Sequence, residues 1–145
     1  MFKHILVPTD GSPLATIALD NAIALASGIG SRLTVLYVVE PFHTFSLDPD
    51  QLGETQKSYE AHSIEWADNI LGHAAGKARA ASVACETLRV VADEPYRAII
   101  ETAMDRGVDL IAMASHGRRG LDAVLLGSQT QKVLTHSGIP VLVYR

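Results

Sequence analysis

The chain has 145 residues, enough to bury the core of one domain without disulfide bonds or structural metals. Its hydrophobic share of 48% is typical of a folded protein and excludes an intrinsically disordered chain. The formal net charge of −4 gives no general attraction for nucleic acid or for an anionic membrane, so we expect neither as a partner. Any anion that this protein binds must therefore be held by local geometry.

The N-terminal segment and the cysteine content predict a cytoplasmic protein. Residues 1–8 lack the pattern of a cleavable signal peptide and are typical of a strand. No apolar run in the sequence approaches the ~20 residues that cross a bilayer. Cys85 is the single cysteine, so no internal disulfide can form, which favours a reducing compartment.

The first part of the sequence predicts a strand, a helix and a second strand. Residues 3–7 are short, β-branched and apolar, and they end at the turn-forming residues 8–11. The helix is capped by Ser12, has Pro13 at its first position and ends at Gly28 to Gly30. Its predicted inner face comprises Leu14, Ile17, Ala18, Ala22 and Leu25. Residues 33–39 are almost continuously apolar, as in strands that are buried on both faces.

A loop, a long helix and a third strand are predicted next. The loop, residues 40–53, either gates a pocket or has no role. The helix spans about residues 54–80, and Trp66 on it is interpreted as a packing residue of the core or edge. Its predicted inner face comprises Ala61, Ile64, Ala67, Leu71, Ala74 and Ala78. The third strand spans residues 82–91, and Cys85 within it is interpreted as a small buried hydrophobic residue.

The last part of the sequence completes an alternating pattern. Asp93 or Glu94 caps a helix that ends at Gly107, and strand 109–114, loop 115–126, helix 128–136 and strand 140–144 follow. Such alternation predicts an α/β fold with one five-stranded parallel sheet, in the common order 3-2-1-4-5, and helices on both faces. We expect residues 1–145 to form a single domain.

The fold predicts where a ligand binds. In open parallel sheets, ligands lie outside the carboxyl ends of the strands where the strand order reverses, which is here between the first and fourth strands. The loops at that point are residues 8–12 and 115–126. Gly117 and the pair Gly127–Ser128 at a helix start suit phosphate, because glycine admits close backbone approach and a helix N-terminus offers N–H donors. Ordinary glycine turns and hydroxyl N-caps use the same residue types as a phosphate site. These residues alone therefore leave both interpretations open, a phosphate site and plain turn structure.

The motifs of this loop resemble those of a known family. Gly117, nine further residues and Gly127–Ser128, preceded by Ser115–His116, are similar to the Gly-x-x-Gly-x9-Gly-Ser/Thr motif of ATP-binding universal stress proteins. Residues 5–12 and 140–143 are also similar to that family, so the likeness covers the whole chain. It implies an adenine nucleotide alpha hydrolase-like, Rossmann-like fold. It also implies that ATP, or ADP or AMP, binds, with Mg²⁺ held by its phosphates.

The resemblance also implies roles for individual residues. It places Asp10 at the ribose hydroxyls or the adenine edge, Pro8 and Thr9 along the base pocket, Val38 where its backbone meets adenine, and Met113 near the base or ribose. The residues that it assigns to the phosphates are Gly117, Gly127, Ser128, Gln129 and Thr130. Ala114 replaces the first glycine of the motif, which lowers affinity if the ribose must contact that carbon. Asp93 stands where members often carry glycine, and we expect it to affect the helix start and not the site.

Several of these residues also have plain structural explanations. Asp10 before Gly11 is typical of a turn. His116 either contacts phosphate or orders its own loop, and Arg118 and Arg119 either pair with phosphates or are solvated. Together with Lys132, the two arginines would form a positive patch. The histidines are scattered, so the sequence predicts no metal site made by protein side chains.

Three functions follow from these observations. The preferred one is a regulatory stress-response protein that binds ATP with little or no catalysis, because no general base or activated nucleophile accompanies the glycine loop. The second is a slow ATP hydrolase in which His116 or an arginine stabilises charge. The third is a nucleotide-free dimeric interaction module. The resemblance implies homodimers through the last strand, at Val141, Leu142 and Val143, and an apolar strand at a sheet edge independently favours pairing.

Overall fold

Strands and helices alternate throughout the chain. The computed structural model describes residues 1–43, 51, 53, 55–117 and 126–145. Their elements are β1 (His4–Pro8), α1 (Pro13–Ile29), β2 (Arg32–Val39), α2 (Gln56–Ala80), β3 (Cys85–Val91), α3 (Pro95–Asp105), β4 (Leu110–Ala114), α4 (Ser128–His136) and β5 (Val141–Tyr144). The strands form one sheet in the order β3-β2-β1-β4-β5 with every pair parallel, so the predicted sheet is confirmed.

The sheet separates two hydrophobic cores. Successive side chains of a strand point to opposite faces, so Ile5 and Val7 of β1 enter one core and Leu6 enters the other. The first core is closed by α1 and α2, and the second by α3 and α4. Helices therefore cover both faces, and the central strands are buried on both sides as their apolar sequences predict.

Helix α1 has the predicted ends, and its buried face differs in part from the predicted one. The hydroxyl of Ser12 accepts from the N–H of Ala15 at 3.3 Å, and Gly30 ends the helix at a φ of 73°. Ile17, which the sequence pattern places inward, is 51% exposed. The residues buried are Ala15, Ala18, Leu19, Ala22, Ile23 and Ala26. Ala18 and Ala22 of the predicted face are buried and Leu25 packs against the core, so the prediction was wrong for Ile17. Helix α1 carries apolar residues on more than one side, so that its pattern fits more than one face.

Helix α2 and strand β3 also differ from the predictions. Ala61 and Ile64, predicted to face inward, are exposed, because the N-terminal part of α2 extends beyond the sheet core. Strand β3 begins at Cys85 and not at residue 82, since Ser82 adopts a φ of 57° in the preceding turn. Cys85 is half-buried, and burial raises the pKa of its thiol. Of the described helices, none is long and apolar enough to cross a membrane.

Candidate functional site

A cavity of about 530 Å³ opens at the carboxyl edge of the sheet, where the strand order reverses. This volume is in the range of small-molecule and cofactor sites. Its walls come from the ends of β1, β2 and β4, the starts of α3 and α4, and helix α2. The cavity therefore lies where the fold predicts a ligand.

The structure gathers the predicted residues around this cavity. Every one that the structure describes is part of its lining: Pro8, Thr9, Asp10, Val38, Met113, Ala114, His116, Gly117, Gly127, Ser128, Gln129 and Thr130. Arg118, and with it Arg119, lies outside the described residues, as does most of the 40–53 loop. Residues from both halves of the sequence thus surround one space, although their individual roles stay predictions.

Asp10 links the two loops of the site. One of its carboxylate oxygens accepts a hydrogen bond from the N–H of Ser12 at 3.0 Å, which is the turn role that its position before Gly11 predicts. The other oxygen occupies the space in which a side chain at Gly117 would begin. The turn role and a role in the site are therefore compatible in this one residue.

The start of α4 packs directly on the loop after β4. The N–H of Gly127 donates to the carbonyl of Ser115 at 2.7 Å. A Cβ at Gly127 would lie 3.1 Å from the Cα and 3.1 Å from the Cβ of His116. The φ of Gly127 is −62°, which other residues can also adopt. Glycine is therefore needed here because His116 approaches closely and not because the backbone is left-handed.

Two predicted phosphate residues also hold the scaffold. The side-chain oxygen of Gln129 accepts from the N–H of Tyr96 at 2.9 Å, and so satisfies one donor in the first turn of α3, whose N-cap residue Glu94 makes no capping hydrogen bond with its side chain. The hydroxyl of Thr130, 3% exposed, donates to the carbonyl of Ala114 at 3.0 Å. Both side chains therefore fix α4 against its neighbours.

Ala114 and His116 fit their surroundings without strain. Ala114 is a buried residue of β4, and Ser82 is the one non-glycine residue with positive φ in the described chain, so alanine at 114 meets no backbone penalty. The Nδ1 atom of His116 is 3.3 Å from the hydroxyl of Ser115, a contact that orders its own loop. This contact supports the structural explanation of His116, which also lines the cavity.

Helix α2 contributes a wall of the cavity that the sequence analysis missed. Tyr59, His62, Ser63 and Trp66 line it, and their spacing is that of one helix face. The pattern of apolar residues did not reveal this face because two of the four are polar. The spacing of the two aromatic residues, seven positions apart, was the available signal.

Charges are unevenly placed at this edge. Among the described residues that line the cavity, Asp10 and Glu40 are acidic, and none is lysine or arginine. The ammonium of Lys132 is 5.4 Å from the centre of the Tyr96 ring, and the positive patch expected from Lys132, Arg118 and Arg119 stays a prediction because both arginines lie outside the described residues. No group of three or more His, Cys, Asp or Glu suited to a metal occurs in the described chain.

The unusual Asp93 has a partner near the cavity. Its carboxylate is 2.9 Å from Nε2 of His43, so it joins the segment after β2 to the segment after β3. Both side chains are well exposed, and such surface pairs contribute little stability. Asp93 therefore contacts the loop after β2, whereas the sequence analysis limited its effect to the start of α3.

The model of the Universal stress protein family matches residues 1–145. The chain belongs to the universal stress protein family. Two curated relatives support this membership. Universal stress protein MJ0577 of Methanocaldococcus jannaschii is 32% identical over 100% of this chain and 96% of its own length. A universal stress protein of Thermus aquaticus is 34% identical over 100% of both chains.

Solved structures of this family share the fold. The structure of MJ0577 has a TM-score of 0.82 at 31% identity, over 99% of this chain and 95% of that one. A universal stress protein solved in complex with cAMP has a TM-score of 0.73 at 26% identity, over 99% of this chain and 97% of that one. The Rossmann-like architecture of this universal stress protein is thus that of its relatives.

Proposed function

We propose that this universal stress protein binds ATP, or a related adenine nucleotide, in the cavity between β1 and β4, and acts as a regulatory stress-response protein with little or no catalysis. The observation that carries the proposal is the convergence of the residues matching the nucleotide motif on one cavity at the switch point. A relative that has been solved with cAMP supports an adenine nucleotide as the ligand class.

The cavity suits such a ligand in size and in the character of its walls. Val38 and Met113 give it apolar walls of the kind that a base requires, and its volume of about 530 Å³ is in the range that holds cofactors. Gly117 and Gly127 keep side chains away from the N-terminus of α4, where the first N–H groups of a helix have no partner within it and the helix dipole favours phosphate. Backbone groups can therefore hold polyphosphate in spite of the overall negative charge.

The described residues of the site offer binding groups and no clear catalytic set. Asp10 already accepts from the backbone of Ser12, and the Nδ1 atom of His116 contacts Ser115. No described lysine or arginine lines the cavity to stabilise a transferring phosphoryl group. Nucleotide occupancy, rather than turnover, is the signal in this proposal. Mg²⁺ would be held by phosphate oxygens and water, as it commonly is with nucleotides.

Identification of the bound molecule tests the proposal. The purified protein is denatured, and the released small molecules are analysed by mass spectrometry, with calorimetric titration of ATP, ADP and AMP into stripped protein. We expect an adenine nucleotide in near-stoichiometric amount and saturable binding. Absence of both would leave the nucleotide-free interaction module as the function.

Phosphate release separates binding from hydrolysis. Wild-type protein and His116→Ala are incubated with ATP and Mg²⁺, and inorganic phosphate is measured over hours. We expect background release from both proteins. Release by the wild type that His116→Ala abolishes would instead establish the slow hydrolase.

A homodimer through β5 is part of the proposal. This strand forms one edge of the sheet, and Val141, Leu142 and Val143 on it are only half-buried. An apolar edge strand normally pairs or is covered. We expect light scattering to give twice the mass of one chain, and Val143→Lys to give the monomer. A monomeric wild type at micromolar concentration would exclude this pairing.

The single-domain organisation and the cytoplasmic location stay predictions.

A further inference from the structure

Helix α2 gives the cavity a wall that no part of the glycine motif supplies. Tyr59, His62, Ser63 and Trp66 form this wall, and we call them the α2 stripe. It contains two aromatic residues and no lysine, arginine or carboxylate. Such a wall suits a flat, uncharged heteroaromatic group better than a phosphate.

The topology places the α2 stripe at the end of the cavity away from the phosphate loop. Helix α2 packs on β2 and β3, whereas the start of α4 is held to the loop after β4 by the hydrogen bond from the N–H of Gly127 to the carbonyl of Ser115. In the strand order β3-β2-β1-β4-β5, these positions are on opposite sides of β1. A nucleotide with its phosphates at the start of α4 must therefore direct its base toward β2 and the α2 stripe.

The side chains at the β2 end favour the same orientation. Glu40 lines the cavity directly after β2, and the hydroxyl of Tyr59 in the α2 stripe donates to its backbone carbonyl at 2.8 Å. This hydrogen bond fixes Tyr59 at the strand end, so an aromatic side chain and not a basic group lines this end of the cavity. The base is the part of a nucleotide that this end of the cavity accepts.

Trp66 is the residue of the α2 stripe with most apolar surface left to bury. It lines the cavity, yet it is 47% exposed, which is unusual for a residue so large and apolar. One atom of its six-membered ring, Cζ2, is 3.4 Å from the position that a Cβ on Gly11 would take. Because Gly11 follows Asp10, the indole borders the predicted sugar and base end of the site.

From this juxtaposition we infer that Trp66 is a specificity-determining residue that packs against the nucleobase and favours purine over pyrimidine nucleotides. Stacking of a base on an aromatic side chain is favourable for every base, and the larger ring system of a purine offers more area to bury. The inference rests on the proposed nucleotide function, which by itself assigns no role to α2.

The protein contains a single tryptophan, so Trp66 reports its own environment. We expect ATP to change the tryptophan emission of the wild type, with a midpoint equal to the dissociation constant from calorimetry. ATP that binds in the calorimeter without changing the emission would overturn the inference and leave the proposed function intact. Absence of ATP binding in the calorimeter would overturn both.

The matched variants are Trp66→Ala, Trp66→Phe and Ile64→Ala, titrated with ATP and with CTP. Ile64 is on the same helix and 41% exposed, but it does not line the cavity. We expect Trp66→Ala to weaken ATP binding about tenfold, CTP binding less, and Trp66→Phe and Ile64→Ala to change either by no more than about twofold. An unchanged ATP-to-CTP affinity ratio in Trp66→Ala would assign Trp66 a structural role only and overturn the inference.

Discussion

The carboxylate of Asp10, directly after β1, occupies the space in which a side chain on Gly117, in the loop after β4, would begin. A Cβ at Gly117 would overlap one carboxylate oxygen and lie 3.3 Å from Cγ of Asp10. The two residues are distant in sequence and meet because β1 and β4 are neighbours at the switch point. Glycine at 117 is thus needed for the position of Asp10.

Gly117→Ala is expected to displace the Asp10 carboxylate and to weaken ATP binding by roughly 1 kcal/mol, the size of one hydrogen bond. The carboxylate is at the end of a short side chain and can rotate, so we expect little change in melting temperature. Titration calorimetry and thermal unfolding measure the two effects. Gly28→Ala is the control, because a Cβ at Gly28 meets nothing within 4 Å. Wild-type affinity in the Gly117→Ala variant would show that Asp10 does not contact the nucleotide.

Gly127→Val is expected to abolish ATP binding. Its side chain would push the backbone at His116 away from the start of α4, where a Cβ already approaches the His116 Cα to 3.1 Å. The loop and the helix N-terminus would then no longer face the same phosphates. Calorimetric titration measures the loss, and Gly138→Val is the control, since a Cβ there meets no atom within 4 Å. Retained affinity in Gly127→Val would place the ligand elsewhere.

Ser128→Ala and Thr130→Ala are expected to separate binding from stability. Ser128 begins α4 and lines the cavity, so loss of its hydroxyl should weaken ATP binding by about 1 kcal/mol and leave unfolding unchanged. The Thr130 hydroxyl is buried and donates to the Ala114 carbonyl, so its loss should lower the free energy of unfolding by about 1–2 kcal/mol.

Urea unfolding and ATP titration on both proteins test this separation, with Thr130→Ser as the variant that keeps the hydroxyl. Thr130→Ser should regain most of the stability lost in Thr130→Ala. The same loss of stability in Ser128→Ala as in Thr130→Ala would contradict the assignment.

The buried His4 is expected to make the protein less stable in mild acid. It is 5% exposed, and its Nε2 is 2.7 Å from the hydroxyl of Thr34. Burial, followed by the charge of Arg32, lowers the pKa of His4 below its usual 6.5. As the pH falls, His4 is therefore protonated in the unfolded chain before it is protonated in the folded protein. The contribution of His4 to stability is complete above about pH 6.5 and is lost as the pH decreases toward the folded-state pKa.

Urea unfolding between pH 8 and pH 5, for wild type and His4→Gln, measures this dependence. We expect a shallower decline in the variant. Partial burial raises the pKa of the nearby Asp109, but N–H groups of Lys3 and His4 bond to its carboxylate and bring the pKa below 3.8, so its protonation occurs outside this range. Equal pH slopes in both proteins would exclude His4 as the titrating group.

Local features of the sequence were enough to predict the sheet and the loops of the site. These features are the short apolar strands, Ser12 and Pro13 at a helix start, and the glycines that follow helices. The structure that each of them favours depends only on residues close by along the chain. Their alternation defines a parallel sheet, and the handedness of its crossovers allows few strand orders. That order, together with the glycines of the loops, predicted where a ligand would bind. The roles of individual residues came from the resemblance to the family and stay predictions.

Only the packed structure decided which helix faces are buried and what encloses the cavity. Helix α1 is apolar on most sides, so contact with the sheet, and not its periodicity, places Ile17 outside and Leu19 inside. Trp66 lies beside Gly11 because α2 packs on α1 as well as on β2 and β3, a relation between residues far apart in the sequence. Contacts of this kind depend on how elements pack together, and a pattern within one element does not contain that information.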